Sequence, residues 1–498
     1  MNFTIWTLSK KITSFFVSSL LLALTARAEE FTGSQRAFIN TTQQNAANLP
    51  NINLYFEYEM TMLVALNTST HAVNQPSTIK QPSQLNLGLS YQLDEVPLAP
   101  NAPVPQKLAN FALPSRAEEE IARIEARRDP RIEVGFEVRD RSANEGISSY
   151  HGQEIPMAAW WPFGYEGHSF GQVDYVNIDA GNLPNNKDAY NFGKLAAKQF
   201  IPVNPVSQKA EGASVAAGYA GDDLRWDVGI VGIGFPVTNF VGGIRKSFEL
   251  GKIDYALELS RRPQTGSLLS YAGARDAATG EVWGGVTNTA INGRVSKTLG
   301  EVYTFASAEY GVLQGENVLN NSRLALRAGV DKDFLHQPDM RLNLGLILSY
   351  WQFKENPSNY TFGHGGYYSP QNYTAISLPI ELTGRKNKLS YLMRGSISLS
   401  RSQEKAMDYY PTDSTLQNSS DPDFRVYKGS SGGGFGYALR LTTEYQATPH
   451  LAVGGRLDIE RSNYYEPNTF LVYLRYNFLQ HQEFDPYPPK VVKPISQY

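Results

Sequence analysis

Cysteine is absent from this sequence of 498 residues, so no disulfide can stabilise the fold. A secreted chain of this length without disulfides must be held by a large core or by a closed, hydrogen-bonded sheet. Beyond residue 28 there is also no apolar run long enough to cross a membrane as a helix, which excludes an α-helical membrane protein. Positive charge is not in excess, because the formal net charge is −3, and this argues against nucleic acid as a partner.

Metal-binding and phosphate-binding motifs are equally scarce. The seven histidines include no H-x-x-x-H pair, so the sequence predicts no metal site. The glycine-rich stretches Gly229–Gly234 and Gly432–Gly436 do not form a complete G-x-G-x-x-G pattern followed by a helix, so neither indicates a phosphate loop. The adjacent carboxylates Asp222 and Asp223 are typical of a turn, where aspartate makes local hydrogen bonds. We therefore expect neither a metal nor a cofactor.

One histidine lies close in sequence to a serine, as in hydrolases that use a Ser–His pair. His364 and Ser369 both fall in Tyr360–Gln371 (YTFGHGGYYSPQ). A catalytic base must be held by a third group, and nothing nearby in the sequence supplies one. The glycines around His364 instead favour a tightly packed loop that is structural or contacts a ligand. We expect no catalysis, and a hydrolase is the least favoured alternative.

The N-terminus has the three parts of a secretory signal peptide. Lys10 and Lys11 precede the apolar run Ile12–Leu24, and Ala26-Arg27-Ala28 has the small residues of a cleavage site. We predict that residues 1–28 are removed, which would leave a net charge of about −6. An N-terminal membrane helix is the alternative, but the run is short for a membrane span and the cleavage pattern follows it.

Alternation with a period of two dominates the sequence from Arg131 onwards. In Phe470–Phe478 (FLVYLRYNF) every second residue is apolar or aromatic, and Arg475 and Asn477 lie on the other face. Such a strand borders either the core of a soluble sandwich or the lipid around a barrel. Segments of this kind predict about sixteen strands, at 131–139, 147–159, 170–178, 213–220, 222–231, 239–249, 252–262, 284–298, 302–313, 322–334, 340–352, 372–382, 388–401, 434–446, 451–462 and 469–478.

The lengths of the connections favour a barrel over a sandwich. In an up-and-down barrel every second connection lies on the same side, so short turns alternate with long loops, whereas a Greek-key sandwich has no such rhythm. Low mean hydropathy is compatible with this, because alternating strands average to near neutral. We predict an all-β fold, a transmembrane up-and-down antiparallel β-barrel of about 16 strands. The turns and loops in question are Gly221, Leu250–Gly251, Leu299–Glu301 and Ala447–His450 (short) and 263–283, 354–371 and 402–433 (long).

The sequence outside the barrel divides into three parts. Residues 29–115 are predicted to be a short periplasmic N-terminal segment, which includes the proline-rich linker Pro97–Pro105. Residues 116–130 predict one short, charged helix with a capping box. The barrel is expected to occupy residues 131–478, and residues 479–498 form a proline-rich tail that we expect to be extended, in the periplasm or inside the lumen.

Seven stretches along the chain carry a resemblance to one known family. They are Gly218–Gly229 (GYAGDDLRWDVG), Ser260–Pro263 (SRRP), Leu268–Asp276 (LLSYAGARD), Trp283–Gly285 (WGG), Tyr360–Gln371, Gly432–Tyr437 (GGGFGY) and Arg461–Pro467 (RSNYYEP). In this order they resemble the C-terminal barrel of the cellulose synthase operon protein C family, which exports cellulose across the outer membrane, and the similarity runs from about Ile121 to Phe478. The resemblance implies a place in the cell outer membrane and a role in polysaccharide export.

The sequence departs from that family in one respect. The family usually carries an array of tetratricopeptide repeats before the barrel, and no 34-residue period is found here. Residues 29–115 could hold at most a remnant, so we expect the periplasmic scaffold to be missing or supplied by another chain. The residues after Phe478 are also unusual for a barrel that ends on its last strand.

The polar faces of the predicted strands carry both signs of charge in similar number. A pore for a polyanion should be lined mainly by Arg and Lys, whereas a mixed lining suits a neutral polymer that needs hydrogen bonds and aromatic faces. Mixed charges could equally form ion pairs that only stiffen the wall, and the tyrosines could belong to the interfacial girdle. The candidates for a polymer path are Arg225, Asp227, Asp254, Glu258, Arg327, Trp351, Tyr367, Tyr368, Arg440, Glu444, Asp458, Tyr464, Tyr465, Tyr473 and Arg475.

Together these features predict an outer-membrane porin that exports a neutral exopolysaccharide, with cellulose (β-1,4-glucan) as the first candidate. The expected partners are that glucan, outer-membrane lipid, an inner-membrane cellulose synthase and periplasmic components of the same system. The barrel would do no chemistry. The alternative from a different class is a non-conducting scaffold of a polysaccharide secretion assembly.

Overall fold

The computed structural model describes residues 129–164, 167–337, 339–462, 467–479 and 488–498. The predicted signal peptide, the N-terminal segment and all but the last two residues of the predicted helix at 116–130 lie outside the described residues. Tyr464, Tyr465 and residues 480–487 of the tail lie outside them as well.

Sixteen strands of ten or more residues form the wall of the molecule. Their alternating sequences keep one face apolar over most of their length, as extended segments between two unlike environments require. They are β1 Arg131–Arg141, β2 Tyr150–Phe163, β3 Gly167–Asn182, β4 Ser207–Gly221, β5 Leu224–Ile233, β6 Asn239–Leu250, β7 Ile253–Pro263, β8 Val282–Leu299, β9 Val302–Glu316, β10 Asn321–Gln337, β11 Met340–Phe353, β12 Asn372–Lys386, β13 Leu389–Glu404, β14 Ser430–Gln446, β15 Leu451–Arg461 and β16 Asn468–Asn477.

Each strand pairs in antiparallel fashion with its neighbours in the chain, and the last strand pairs with the first. The closing register runs from Arg131 opposite Asn477 to Asp140 opposite Asn468. Closure leaves no unpaired edge in the wall, which is what a sheet in lipid requires, because the hydrocarbon offers no hydrogen-bond partners. The predicted fold, an up-and-down antiparallel barrel of sixteen strands, is confirmed.

The two faces of the wall differ in character as the alternation predicts. On β16 the side chains of Phe470 and Leu474 are about half exposed on the outward face, whereas Tyr473 and Arg475 are buried on the inward face. Of the two environments that the sequence allowed for this strand, the exterior of a barrel is the correct one, because its aromatic and aliphatic face lies outside the closed wall rather than in a core.

Connections at the two ends of the barrel differ in length. At one end, two to four residues of sequence separate successive strands, at 164–166, 222–223, 251–252, 300–301, 338–339, 387–388 and 447–450. The loops at the other end include four long ones, at 183–206, 264–281, 354–371 and 405–429. Long loops face the outside in outer-membrane barrels, so we call this the outer end and the other the periplasmic end.

The long loops contain the remaining regular structure. None of the helices in the described residues is long and apolar enough to cross a membrane. The α-helices are α1 Leu195–Lys198, α2 Leu268–Ala272 and α3 Ser414–Ser419, the 3-10 segments are Lys187–Asn191, Pro422–Phe424 and Ile495–Gln497 (the last in the tail), and the two-residue strands are Phe192–Gly193, Ala274–Arg275, Tyr360–Thr361, Met407–Asp408 and Val426–Tyr427.

The four long loops fold together into one unit, which we call the cap (183–206, 264–281, 354–371 and 405–429). Its apolar side chains share a buried core with the outer ends of several strands, and Phe192 and Trp283 pack with ring centroids 5.1 Å apart. Loop 264–281 follows β7, yet the Thr265 carbonyl accepts a hydrogen bond from Arg139 of β1 at 3.0 Å. The cap therefore crosses the outer mouth of the barrel.

The tail returns into the barrel after β16. Val492 packs against Leu471 and Tyr473 on the inward face of β16, and Ile495 packs among inward residues of β4, β5 and β6. Residues 488–498 therefore lie inside the lumen, one of the two places that the sequence left open for them.

Candidate functional site

A cavity of about 500 Å³ lies in the lumen between the cap and the tail. Thr265, Gly266, Tyr367 and Tyr368 of the cap line one part of it, and residues 493 and 496–498 of the tail line another. Inward side chains of β1, of β5 to β11 and of β14 to β16 supply most of the remaining wall. Within the described residues, the cavity is thus a part of the lumen that neither the cap nor the tail fills.

Ion pairs between adjacent strands, or between strands one apart, organise the charges on this wall. Asp227 of β5 accepts two hydrogen bonds from Arg262 of β7, at 2.6 and 2.7 Å. Asp458 of β15 accepts from Arg440 of β14 at 2.6 Å, and Glu258 lies 3.8 Å from Arg245. The contacts of Asp227 and Asp458 with their arginines are bidentate, and such contacts fix both side chains against the wall. The local field from each pair is small because its two charges lie side by side.

Aromatic rings form a second component of the lining. Trp351 stacks on Tyr373 with ring centroids 4.7 Å apart and an interplanar angle of 22°. Phe353 lies 6.2 Å from Tyr367, whose hydroxyl accepts a hydrogen bond from Asn321. Burial raises the pKa of the Tyr367 hydroxyl, so this group stays protonated at neutral pH. These rings lie where the wall meets the cap.

Eight of the residues proposed from the sequence line the cavity. The other described candidates face inward but lie outside its lining, and Tyr464 and Tyr465 belong to the part of the chain that the structure does not describe. The eight are Arg225, Asp227, Glu258, Trp351, Tyr367, Tyr368, Arg440 and Asp458.

The remaining candidates have other surroundings. Glu444 accepts hydrogen bonds from the Tyr473 hydroxyl at 2.5 Å and from Arg475 at 2.7 Å, and this cluster adjoins the tail. Arg475 also donates to the Lys490 carbonyl of the tail. Arg327 is buried on β10, and Asp254 lies near the periplasmic end of β7.

Several lining residues were not among the candidates. Arg139 and Arg141 follow Glu133 and Glu137 on the same face of β1, a pattern that could have indicated an inward charged face. Arg262 stands in the SRRP stretch that was recognised only as a family-like motif. Phe353 lies at the end of β11, and nothing in the sequence distinguishes it from an aromatic residue of the interfacial girdle.

Three inward carboxylates hold the tail. The backbone N–H of Ile495 donates to Asp174, the Ser496 hydroxyl donates to Glu154 at 2.8 Å, and the Gln497 amide donates to Glu137. Hydrogen bonds from three consecutive residues, together with the packing of Val492 and Ile495, fix the tail in the lumen. The carboxylates come from β3, β2 and β1, which places the end of the tail along that side of the wall.

The pair considered for catalysis is not assembled. The His364 ring donates through Nε2 to the Asp408 carbonyl at 2.9 Å, and the Ser369 hydroxyl bonds to Asn356 and to the Tyr367 carbonyl. Complete burial lowers the pKa of His364 to about 4, so the ring is neutral at pH 7. Both residues are structural members of the cap core, without a hydrogen bond between them.

Across the described ranges, no group of three His, Asp or Glu side chains could hold a metal ion.

Comparison with known families agrees with the family-like stretches in the sequence and with the closed barrel. The family model described as the C-terminus of cellulose synthase operon protein C matches residues 148–479. The chain belongs to this family. The match begins at the end of the connection between β1 and β2 and ends just past β16, so it covers nearly the whole barrel.

Relatives named cellulose synthase operon protein C match about two thirds of this chain. The protein of that name from Salmonella typhimurium is 32% identical over 341 residues, which cover 67% of this chain and 29% of the relative. That from Escherichia coli (strain K12) is 32% identical over 345 residues, covering 67% and 29%. Cellulose synthase 2 operon protein C from Komagataeibacter xylinus is 30% identical over 331 residues, covering 65% and 25%. The chain thus spans less than a third of the length of these relatives.

Among solved structures, a bacterial polysaccharide outer membrane secretin has a TM-score of 0.44 at 12% identity, over 71% of this chain and 99% of that one. The outer membrane channel DcaP of Acinetobacter baumannii has a TM-score of 0.30 at 10% identity, over 70% of this chain and 96% of that one. Scores of this size add nothing to the strand order and register given above.

Proposed function

We propose that this barrel is an outer-membrane porin that exports a neutral exopolysaccharide, with cellulose as the first candidate. The observation that carries the proposal is the lumen cavity, with its wall of paired charges and aromatic rings inside a closed sheet. Such a lining offers many weak contacts to a hydroxyl-rich polymer and no single strong one. A conducting path needs this property, because tight binding would stall the moving chain.

Some charges of the lining are paired. Asp227 and Asp458 are each bound by an arginine, so their charges cancel locally. The lining as a whole has ten Arg and Lys side chains against five Asp and Glu, so a polymer with acidic groups is the cargo to test against. The names of the family relatives, which refer to cellulose, support the neutral choice.

The aromatic rings give the proposal a mechanism. Sugar rings present C–H faces that pack on aromatic side chains, as apolar faces generally do. Trp351, Tyr367 and Tyr368 line the cavity next to the cap, where a polymer would leave the barrel. Hydrogen bonds to the paired charges would hold the edges of the same sugar rings.

The driving force would come from outside this chain. No step of bond making is assigned to the barrel, and we propose that an inner-membrane synthase and periplasmic components deliver the polymer to it. Entry requires the tail to leave the lumen at the periplasmic end, and exit requires the cap to move at the outer end. The closed arrangement described here is then the resting state.

The alternative is a barrel that anchors a secretion assembly and conducts nothing. Occupation of both ends of the lumen favours it, since the cap core and the tail contacts would be permanent in a scaffold. A hydrolase is the third possibility. It would require His364 and Ser369 to leave their present partners in the buried cap.

Single-channel recordings in planar bilayers separate the first two functions. The chain should give small or rare openings, and a variant that ends at residue 487 should conduct steadily, because the tail no longer fills the lumen. Cello-oligosaccharides should then interrupt the current more than acidic oligosaccharides of equal length. A shortened barrel that is folded yet never conducts would support the scaffold. Stronger block of the current by the acidic oligosaccharide would show that the cargo is anionic and not neutral.

The hydrolase reading has its own test. Ser369→Ala should leave polymer export unchanged in a cell-based secretion assay, because the hydroxyl only bonds within the cap. Hydrolysis of cello-oligosaccharides or lipid esters by the purified chain, abolished by this variant while the cap stays folded, would show that the barrel is an enzyme.

A further inference from the structure

Arg261 is a charged residue on an outward face that is otherwise apolar. It follows Ile253, Tyr255, Leu257 and Leu259 at every second position of β7, and the two leucines are more than half exposed. Its neighbour Arg262 points the other way, into the lumen, where it binds Asp227. Arg261 lies two residues before the outer end of the strand. Its side chain is therefore at the outer boundary of the apolar band.

The guanidinium of Arg261 is fixed in place by two neutral acceptors. Nε donates to the Phe240 carbonyl of β6 at 3.1 Å, and Nη1 donates to the Thr289 hydroxyl of β8 at 3.0 Å. Within the described residues it has no carboxylate partner. A guanidinium carries five N–H donors, so donors remain for a further ligand. A fixed and uncompensated charge at a lipid boundary is costly unless an anion meets it.

An apolar depression of about 590 Å³ adjoins this charge on the outward face. Gly242 lacks a side chain opposite Arg261 in the register, and the rings of Trp226 and Phe240 are exposed nearby at 42% and 71%. Ile244 and Leu259 complete the apolar walls. A trough with a cation at its outer end matches a molecule with an acyl chain and an anionic head.

We propose that Arg261 and this depression bind one lipopolysaccharide molecule of the outer leaflet, with a lipid A phosphate on the guanidinium and an acyl chain along Gly242. Arginine is well suited to this role, because its planar fork donates two parallel hydrogen bonds to phosphate oxygens. The bonds to Phe240 and Thr289 hold the fork in position before the lipid arrives. The site lies outside the wall and is independent of what passes through the lumen.

A purely structural role is the competing explanation. Arg261 would then only tie β6, β7 and β8 together and extend its charge to the headgroup water, as long cationic side chains commonly do. Arg401 provides a matched control. It lies on the outward face of β13, two residues after the exposed Leu399, and within the described residues no hydrogen bond or ion pair fixes it.

The test is a titration of the purified full-length chain with lipid A, read by native mass spectrometry. We expect one lipid A to bind with an affinity that falls about tenfold or more in Arg261→Gln, the size of a lost hydrogen bond to a charged group. Arg401→Gln should bind like the unmodified chain. Arg261→Lys should lie between the two, because it keeps the charge and loses the fork.

Three outcomes would overturn the proposal. Equal losses in the Arg261 and Arg401 variants would mean general attraction to surface charge. Equal binding of dephosphorylated lipid A would mean that only the apolar trough matters. Unchanged binding in Arg261→Gln would leave the residue as a tie between strands. Heat-modifiable electrophoretic mobility, retained in every variant, verifies that the barrel is folded in each measurement.

Discussion

The backbone N–H of Ile495 donates a hydrogen bond to the carboxylate of Asp174, 321 residues earlier in the sequence. The acceptor is an inward side chain in the middle of β3, and the donor belongs to a proline-rich tail that follows the last strand. Through this contact, a segment that follows the barrel in the sequence lies inside the lumen of the barrel. It also identifies the carboxylates of β1, β2 and β3 as the groups that hold the tail there.

Replacing Asp174 with Ala should loosen the tail. The loss leaves the buried Ile495 N–H without its acceptor, which typically costs about 1–3 kcal/mol and raises the population of the released tail roughly fivefold or more. We expect faster digestion of the C-terminal residues by carboxypeptidase and longer openings in bilayer recordings. Asp254→Ala is the control, because that inward aspartate lies near the periplasmic end away from the tail contacts. Equal digestion rates for the two variants would show that the tail is held by packing alone.

The cap should lose stability in mild acid because of His364. Burial lowers the pKa of this histidine from 6.5 to about 4, so between these values the unfolded cap binds the proton that the folded cap excludes. Its stabilisation is therefore complete above pH 6.5 and declines as the pH falls towards 4, by on the order of 3 kcal/mol. Hydrogen exchange of residues 354–371 should accelerate accordingly, after correction for intrinsic rates.

His364→Gln tests the assignment of that pH dependence. The variant keeps a donor for the Asp408 carbonyl and has no group that titrates, so its exchange should vary less between pH 4.5 and 7. His336→Gln, at the half-exposed periplasmic end of β10, should behave like the unmodified chain. A pH dependence that persists in His364→Gln would assign the effect to carboxylates.

The wall could be predicted from the sequence because its signals are local. Alternation identifies a strand over as few as five residues, and the prediction of β7 at 252–262 differs by one residue at each end from the structure. Errors occur where the outward face leaves the apolar band. The strand predicted at 213–220 begins at Ser207, because Lys209 and Glu211 are outward and polar beyond that band. The start of β14 was missed because its serines and glycines do not alternate.

The cap and the binding position of the tail in the lumen could not be predicted in the same way. Trp283 and Phe192 are 91 positions apart in the sequence, and nothing local to either residue indicates that they meet. The Ile495 contact uses a backbone N–H, which every residue except proline possesses, so it has no sequence signature. Residue type can suggest that a strand faces inward, but it cannot show which inward residues share one cavity.

Trp283→Ala should open the cap without unfolding the wall. The ring is fully buried between Phe192 and Phe362, and removal of a large buried aromatic side chain costs about 3–5 kcal/mol. We expect faster hydrogen exchange in all four cap loops and unchanged heat-modifiable mobility of the barrel. Trp161→Ala, on the exposed outward face of β2, should leave the exchange of the cap as it was. Slow exchange in the Trp283 variant would mean that the cap is held by its hydrogen bonds.

Asp227→Asn should shift the ion selectivity of the lumen towards anions. This aspartate offsets the charge of Arg262 through two hydrogen bonds, so its neutralisation leaves one uncompensated guanidinium on the cavity wall. The reversal potential in a KCl gradient, measured on the variant that ends at residue 487, should move in the direction of chloride permeability. Asp254→Asn should produce a smaller shift, because that residue lies outside the cavity lining. A larger shift from Asp254→Asn would place the selective region at the periplasmic entrance and assign the Arg262–Asp227 pair to stiffening of the wall.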